Sequence, residues 1–345
     1  MLHLERMKPL VSILIPAYNG QEWLADAVRS ALAQTWQRKE IIIVDDGSQD
    51  QTFAVANQFA SKNVIVVRQD NQGAAAARNN AYSMSQGDYI QWLDADDLLA
   101  PDKVELQLNS VERSDAKRVL LSSAWGSFMY RPHKAKFSPT LLWGDHLPVE
   151  WLLGKMGHNF HMQTATWLVS RELSEAAGSW DIRLSVDDDG EYFCRVLLKS
   201  DEVRFVPDAK VFYRDTGLNR LSYIGQSDSK MDSLFLSMRL HIGYLRSLED
   251  TERVRSACVN YLQTSLFYFY PERLDLVKEA EDIAGGLGGQ LIPPPTSWKY
   301  LWLQKIFGWS VTKRIQMFLP WCKLFVFRLW DKALSRFNGW NLAPR

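Results

Sequence analysis

Three carboxylates within four residues, Asp94, Asp96 and Asp97, follow the strand-like run Tyr89-Ile90-Gln91-Trp92-Leu93. Carboxylates that close repel one another, and a chain that sets them at the end of a buried strand usually supplies a cation to hold them together. Oxygen-only ligands suit hard Mg2+ or Mn2+, with phosphate oxygens completing the shell. The bland alternative is a solvated acidic turn ahead of the helix near Pro101, with Asp97 or Asp102 serving its N-terminus. A second acidic group, Asp45-Asp46-Gly47-Ser48, follows Glu40–Val44, and there Asp46, Ser48 and Asp50 can equally form a turn and cap the next helix. Gly73 permits close approach of a ligand. Arg78, one turn into a helix, suits a diphosphate or a surface ion pair. Asp187-Asp188-Asp189 opens a further helical stretch that reaches Arg195. Three adjacent acids should raise one pKa, which suits proton abstraction, although a helix dipole also favours acids there.

These groups need a scaffold that gathers them. Val11–Ile15, Glu40–Val44, Val64–Val67 and Tyr89–Leu93 read as buried strands. Helical spacing separates them at Gln21–Gln34, Thr52–Ala60 and Ala74–Met84. Such alternation over residues 9–100 predicts a parallel sheet with right-handed crossovers. Its strand-end loops (Pro16-Ala17-Tyr18-Asn19, Asp45–Ser48, Gln69–Gly73 and Leu93–Asp97) then share one edge, where open α/β sheets bind ligands. Past Pro101 the alternation weakens. Val119–Trp125, Phe128–Arg131, Thr164–Ser170, Val203–Val206 and Lys210–Tyr213 suggest short strands, with helices at Glu150–Met156 and Asp188–Leu198. Beyond Asp228 the pattern is helical, to a break at Gly285–Gly289 and Pro293–Pro295. No Walker-type or Gly-x-Gly-x-x-Gly loop occurs, which argues against an ATPase or a dinucleotide enzyme.

Taken together, Pro16-Ala17-Tyr18-Asn19, Glu40-x4-Asp45-Asp46-Gly47-Ser48, Asn71-x-Gly73-x4-Arg78-Asn79 and Gly87-Asp88-Tyr89-Ile90-x2-Leu93-Asp94-x-Asp96-Asp97 resemble the family 2 glycosyltransferases of GT-A fold. The resemblance covers about residues 9–215. It implies a Rossmann-like, mostly parallel central sheet with flanking helices, and inverting transfer of a sugar from a nucleotide-diphosphate donor with Mn2+ or Mg2+. By the same resemblance Asp45 contacts the donor's base, with Pro16, Ala17 and Tyr18 lining that pocket. Asp94 and Ala95 lie on the ribose or diphosphate side with Gly73 and Arg78, and Asp96 binds the metal. The family's acceptor-side base maps onto Asp189, with Asp188 the runner-up. Gly190 departs from the aromatic expected there. The implied division is a transferase domain over 1–225 (donor half 9–100, acceptor half 101–225), a helical extension over 226–290 and a tail over 297–345.

With 46% apolar and 23% charged residues, the 345-residue chain has the composition of a globular protein. Cys194, Cys258 and Cys322 offer neither metal spacing nor a disulfide framework, so a reducing cytosol is the simplest home. No signal peptide or membrane span is expected. Net charge is zero, yet residues 297–345 hold nine Lys or Arg against the single acid Asp331, and six of the fourteen tryptophans. Aromatics interleaved with cations suit the inner face of a cell membrane, where lipid-linked acceptors reside, or else a helix packed on protein. RNA would suit the charge, but no RNA-binding motif supports it. His158 and His161 lack a third ligand. Trp125, Trp143, Trp151, Trp167 and Trp180 suit sugar stacking or the core. Rival readings are an inactive nucleotide-sugar- or carbohydrate-binding protein and a membrane-associated scaffold of a glycan assembly complex.

Overall fold

The computed structural model describes residues 8–111, 118–217, 224, 227–294 and 297–337. Four strands, β1 (Val11–Ala17), β2 (Lys39–Asp46), β3 (Val64–Gln69) and β4 (Tyr89–Trp92), lie parallel in the order β3-β2-β1-β4. Helices α1 (Leu24–Leu32), α2 (Thr52–Asn57) and α3 (Ala74–Met84) connect them, as the alternation predicts. Side chains of a strand alternate between faces, and both faces of this sheet are covered. Ile13, Ile15, Ile41 and Ile43 therefore join one apolar core with α1, while Leu14, Ile42 and Val44 join another. Register sets Ala17 beside Asp45 and Leu14 beside Trp92, so the C-terminal strand ends meet at one rim.

The second half is less regular than its sequence suggests. Two-residue β5 (Leu98–Leu99) leads into α4 (Lys103–Val111), and a second sheet has the order β5-β9-β6-β7. One long strand, β6 (Val119–Phe128), ends before the 129–131 part of the expected second strand. The expected strands at Val203–Val206 and Lys210–Tyr213 are a single strand, β9 (Glu202–Arg214). Its pairing with β6 jumps from Val206 to Lys210, an irregularity at Pro207, which lacks the N–H a ladder needs. β7 is Lys136–Phe137, and α5 spans Pro148–His158. Thr164–Ser170 is not one strand but a 3-10 turn (Thr164–Thr166) followed by β8 (Val169–Ser170), antiparallel to β4. Side chains satisfy that backbone in place of a ladder. Gln163 accepts from the Ala165 N–H, while Gln91 and Gln107 donate to the Ala165 and Thr166 carbonyls.

Helices α6 (Arg171–Ala177), α7 (Asp188–Lys199), α8 (Asp228–Leu248), α9 (Glu252–Phe269) and α10 (Leu274–Gly286) complete the body. The last three share a core with the sheet, which runs from Leu14 and Trp92 through Trp167 and Tyr192 to Met238, Leu262 and Ala280. The tail forms α11 (Leu301–Phe337), broken at Gly308 (φ 77°). It is fastened at both ends. Lys313 meets Glu272 at 2.7 Å and Trp309 packs on Tyr270, while Asp331 pairs with Arg131 at 2.6 Å and Lys332 with Glu22 at 3.1 Å. Trp302, Ile306, Val326 and Trp330 are exposed. No helix among the described residues is long and apolar enough to cross a membrane.

Candidate active site

The β2 rim holds Asp45 with no solvent exposure. Its Oδ2 accepts the Ser48 N–H at 3.3 Å and lies 3.3 Å from Arg68 Nε. Its Oδ1 has no protein partner. A buried, unpaired acceptor is costly unless a ligand donates to it. Beside it an open cleft of about 580 Å³ is lined by Gly47, Arg68, Gln69, Asp70 and Asn71. Gly47 has φ 72°, and an added Cβ would sit 2.8 Å from the Asn71 nitrogen. Asp46 is no helix cap. It accepts from Gln69 Nε2, Gln72 N and Gly73 N, which ties the β3–α3 loop, and with it Gly73, to the rim. Ser48 likewise accepts the Asn19 N–H, holding the Pro16-Ala17-Tyr18 segment against β2. Ala17 is buried, and the Tyr18 ring is 46% exposed at the edge.

At the β4 end, Arg78 unites what the sequence separates. Its Nη2 donates to Asp94 at 2.8 Å and its Nη1 to Asp188 at 2.6 Å, across 110 residues of chain. The guanidinium is buried and lies 4.4 Å over the Trp180 ring. Asn79 grips Trp180 through both its amide groups, accepting the backbone N–H at 2.8 Å and donating to the carbonyl at 2.9 Å. Both terminal nitrogens of Arg78 are thus on carboxylates, although the resemblance gave it a diphosphate. Ala95 lies against Gly20.

Burial, reinforced by the Asp94 charge, pushes the Asp96 carboxyl up to about 6. Asp94 and Asp96 are therefore a crowded oxygen pair that a hard divalent cation fits. Among the described residues no group of three His, Cys, Asp or Glu could hold a metal alone, so a cation there needs ligand oxygens as well. Asp97 is not a helix cap. It is fully buried, accepts from Gln163 and from the Arg214 N–H at 2.8 Å, and so ties β9 to the rim. Arg214 in turn donates to the Asp96 carbonyl at 2.7 Å and lies over Trp23 and Phe128.

The acceptor-side pair opens α7. Asp189 accepts from the Thr164 hydroxyl at 2.9 Å and from the Gly190 N–H. Asp188 is held by Arg78, yet burial outweighs that ion pair and lifts its carboxyl to about 6. The raised carboxyl expected of the acidic run falls on Asp188, but burial is its main cause, with the Asp189 and Asp94 charges adding to it. Thr164, Gln163 and Arg214 went unnoticed as site residues, since only folding brings them to the rim. Of the candidate sugar platforms, Trp151, Trp167 and Trp180 are buried core, whereas Trp125 and Trp143 are half-buried. His158 stacks on Phe160 and His161 lies tilted against Trp125, so the two imidazoles have separate ring partners.

Residues 12–146 match the sequence model described as "Glycosyl transferase family 2". Over 129 residues the chain is 38% identical to an uncharacterized glycosyltransferase of Rickettsia typhi, covering 37% of this chain and 40% of that one. Over 303 residues it is 27% identical to the chondroitin synthase of Pasteurella multocida, covering 81% of this chain and 31% of the relative. The chain thus spans less than half the length of either relative. Among solved structures, S. aureus TarS 1-349 in complex with UDP-GlcNAc superposes with a TM-score of 0.62 at 16% identity, over 81% of this chain and 80% of that one. That is a likeness of fold, and it agrees with the GT-A architecture.

Proposed function

We propose, for a chain whose residues 12–146 match the glycosyl transferase family 2 model, an inverting transfer of a sugar from a nucleotide-diphosphate donor to a hydroxyl of a glycan or lipid-linked acceptor. One observation carries the reading. Arg78 bridges Asp94, on the donor rim, to Asp188, beside the acceptor-side base, so donor and acceptor carboxylates share one buried site. A uridine diphosphate donor is favoured because TarS, of like fold, was solved with UDP and with UDP-GlcNAc. The unpaired Oδ1 of Asp45 supplies an acceptor for a base N–H, with Ala17 and Tyr18 beside it.

Asp189 takes the acceptor's hydroxyl proton. Its partners are a neutral hydroxyl and a backbone N–H, which leave a carboxylate able to accept a proton, whereas Asp188 is committed to Arg78. The acceptor oxygen then bonds to the anomeric carbon as the bond to the diphosphate breaks on the opposite face, inverting that carbon. Mn2+ or Mg2+ held by Asp96 beside Asp94 would neutralise charge on the departing diphosphate. Proton removal contributes roughly 10² to 10⁴-fold, and positioning of the two substrates supplies more. Donor-dependent release of nucleoside diphosphate in the presence of Mn2+ tests the reading, with loss expected in Asp96→Ala and Asp189→Ala. Full release by Asp189→Ala would sink the base assignment, and no release by the wild type with any nucleotide sugar would favour a binding protein.

The tail supports a place on a membrane surface. Toward the body Lys313, Asp331 and Lys332 are paired and Trp309 packs on Tyr270, while Trp302, Ile306, Val326 and Trp330 are exposed. A helix that pairs part of its charge with protein and leaves a row of aromatic and aliphatic side chains exposed is arranged for a lipid interface, with Lys299 and Lys305 near anionic headgroups.

A further inference from the structure

The first member of the Asp187-Asp188-Asp189 run has no task in the chemistry above, yet it is elaborately held. Asp187 precedes α7 in the left-handed region (φ 59°, ψ 26°), where a non-glycine residue is uncommon. Its Oδ2 accepts the Ser237 hydroxyl at 2.8 Å and lies 3.8 Å from His241 Nδ1. Burial and the nearby Lys155 push His241 down to about 3, so that imidazole is neutral and forms no ion pair. Burial alone would lower Lys155, but the Asp187 carboxylate, with Cys194 and Asp189 adding to it, raises the ammonium. One turn earlier on α8, the Ser233 hydroxyl accepts from Ser185 N at 2.8 Å and Val186 N at 3.1 Å. Two serines on one face of α8 thus stitch down the whole approach to the acceptor-side acids.

Gly190 belongs to the same device. A Cβ added there would meet the Asp187 carboxylate, 2.8 Å from its Cγ. The glycine that stands where the resemblance leads one to expect an aromatic makes room for a carboxylate folded back beneath the helix start.

We propose that Asp187 is a positioning residue of the transfer reaction: its carboxylate, clasped by Ser237 and seated under Gly190, fixes the left-handed entry to α7 and so the direction in which Asp188 and Asp189 face the acceptor. The role rests on the acceptor-side reading given above. It makes α8, which bears no candidate catalytic group, part of the active site.

Steady-state kinetics of the full chain, with donor titration by calorimetry, test it. Misplacement by about 1 Å can cost ~10²-fold in turnover. Asp187→Ala should therefore lose roughly 10 to 10²-fold in kcat, and Ser237→Ala about 10-fold, with donor KM and Kd unchanged. Gly190→Ala, which drives the carboxylate off Ser237, should match Ser237→Ala, and the Ser237→Ala/Gly190→Ala double variant should fall no further than either single. Wild-type kcat in folded Ser237→Ala and Gly190→Ala overturns the proposal, as do effects that simply add. If Asp187→Ala does not fold, Ser237→Ala, which removes one hydroxyl, carries the test. Undiminished turnover in Asp189→Asn beside a fall in Ser237→Ala would overturn the base assignment and leave the positioning role standing. A fall in Asp189→Asn with none in Ser237→Ala would do the reverse.

Discussion

The proposed donor rim and the proposed acceptor side of this molecule are built on different principles. The donor rim is local: its loops follow successive parallel strands and are laced by short-range contacts such as Asp46 to Gly73 and Ser48 to Asn19. The acceptor side is assembled at a distance. Arg78 reaches Asp188 across 110 residues, Asp97 reaches Arg214 across 117, and Asp187 relies on a serine from the C-terminal helices. A local rim can be read as motifs, whereas a site assembled from remote segments tolerates substitutions such as Gly190 wherever a distant partner compensates. The chemistry proposed here needs both halves, and Arg78 is the hinge of charge between them.

Variants can break or sharpen that contrast. The largest effect on stability belongs to the acceptor side. The Asp188 carboxyl is raised from 3.8 to about 6 by burial, so between those values the folded chain binds more protons than the unfolded one. Stability from this group is therefore highest below pH 4 and declines as pH rises through 6, by up to about 3 kcal/mol. Urea titrations at pH 4.5 and pH 7 should show a flatter pH dependence in Asp188→Asn than in the wild type. Equal slopes would mean that the carboxyl is effectively in water.

Next comes the donor rim. Asp45→Ala removes the unpaired Oδ1 and the partner of Arg68. A hydrogen bond to a charged group is worth about 1.5–3 kcal/mol, so donor KM should rise roughly 10 to 150-fold with kcat little changed. A fall in kcat at constant KM would instead place Asp45 among the groups acting on the reaction step. The smallest effect on turnover concerns the tail. Removing residues 297–345 should abolish sedimentation with anionic vesicles and leave transfer to a soluble acceptor nearly intact. Retained vesicle binding would take the tail out of the membrane reading.

Much of the first hundred residues was legible because parallel strands buried on both faces are continuous apolar runs, and their order along the chain is their order of crossover. Legibility ended where satisfaction of polar groups became three-dimensional. Thr164–Ser170 has the composition of a strand, but Gln163, Gln91 and Gln107 take up its backbone groups and bend it into a turn. Asp97 looks like a cap and is a buried tie, because Gln163 and the Arg214 backbone reach it from distant segments. The tail's alternating aromatics and cations show an amphipathic helix without showing which side meets the body. Partners scattered along the chain, Glu22, Arg131 and Glu272 among them, decide that.

The amino-acid order by itself determined a parallel sheet with an acidic rim, since strand periodicity and the residues following each strand are properties of neighbouring positions. Which carboxylates are shared, paired or left open was decided by the tertiary structure alone. Charge interactions depend on distance in space and on burial, and neither is written in sequence separation.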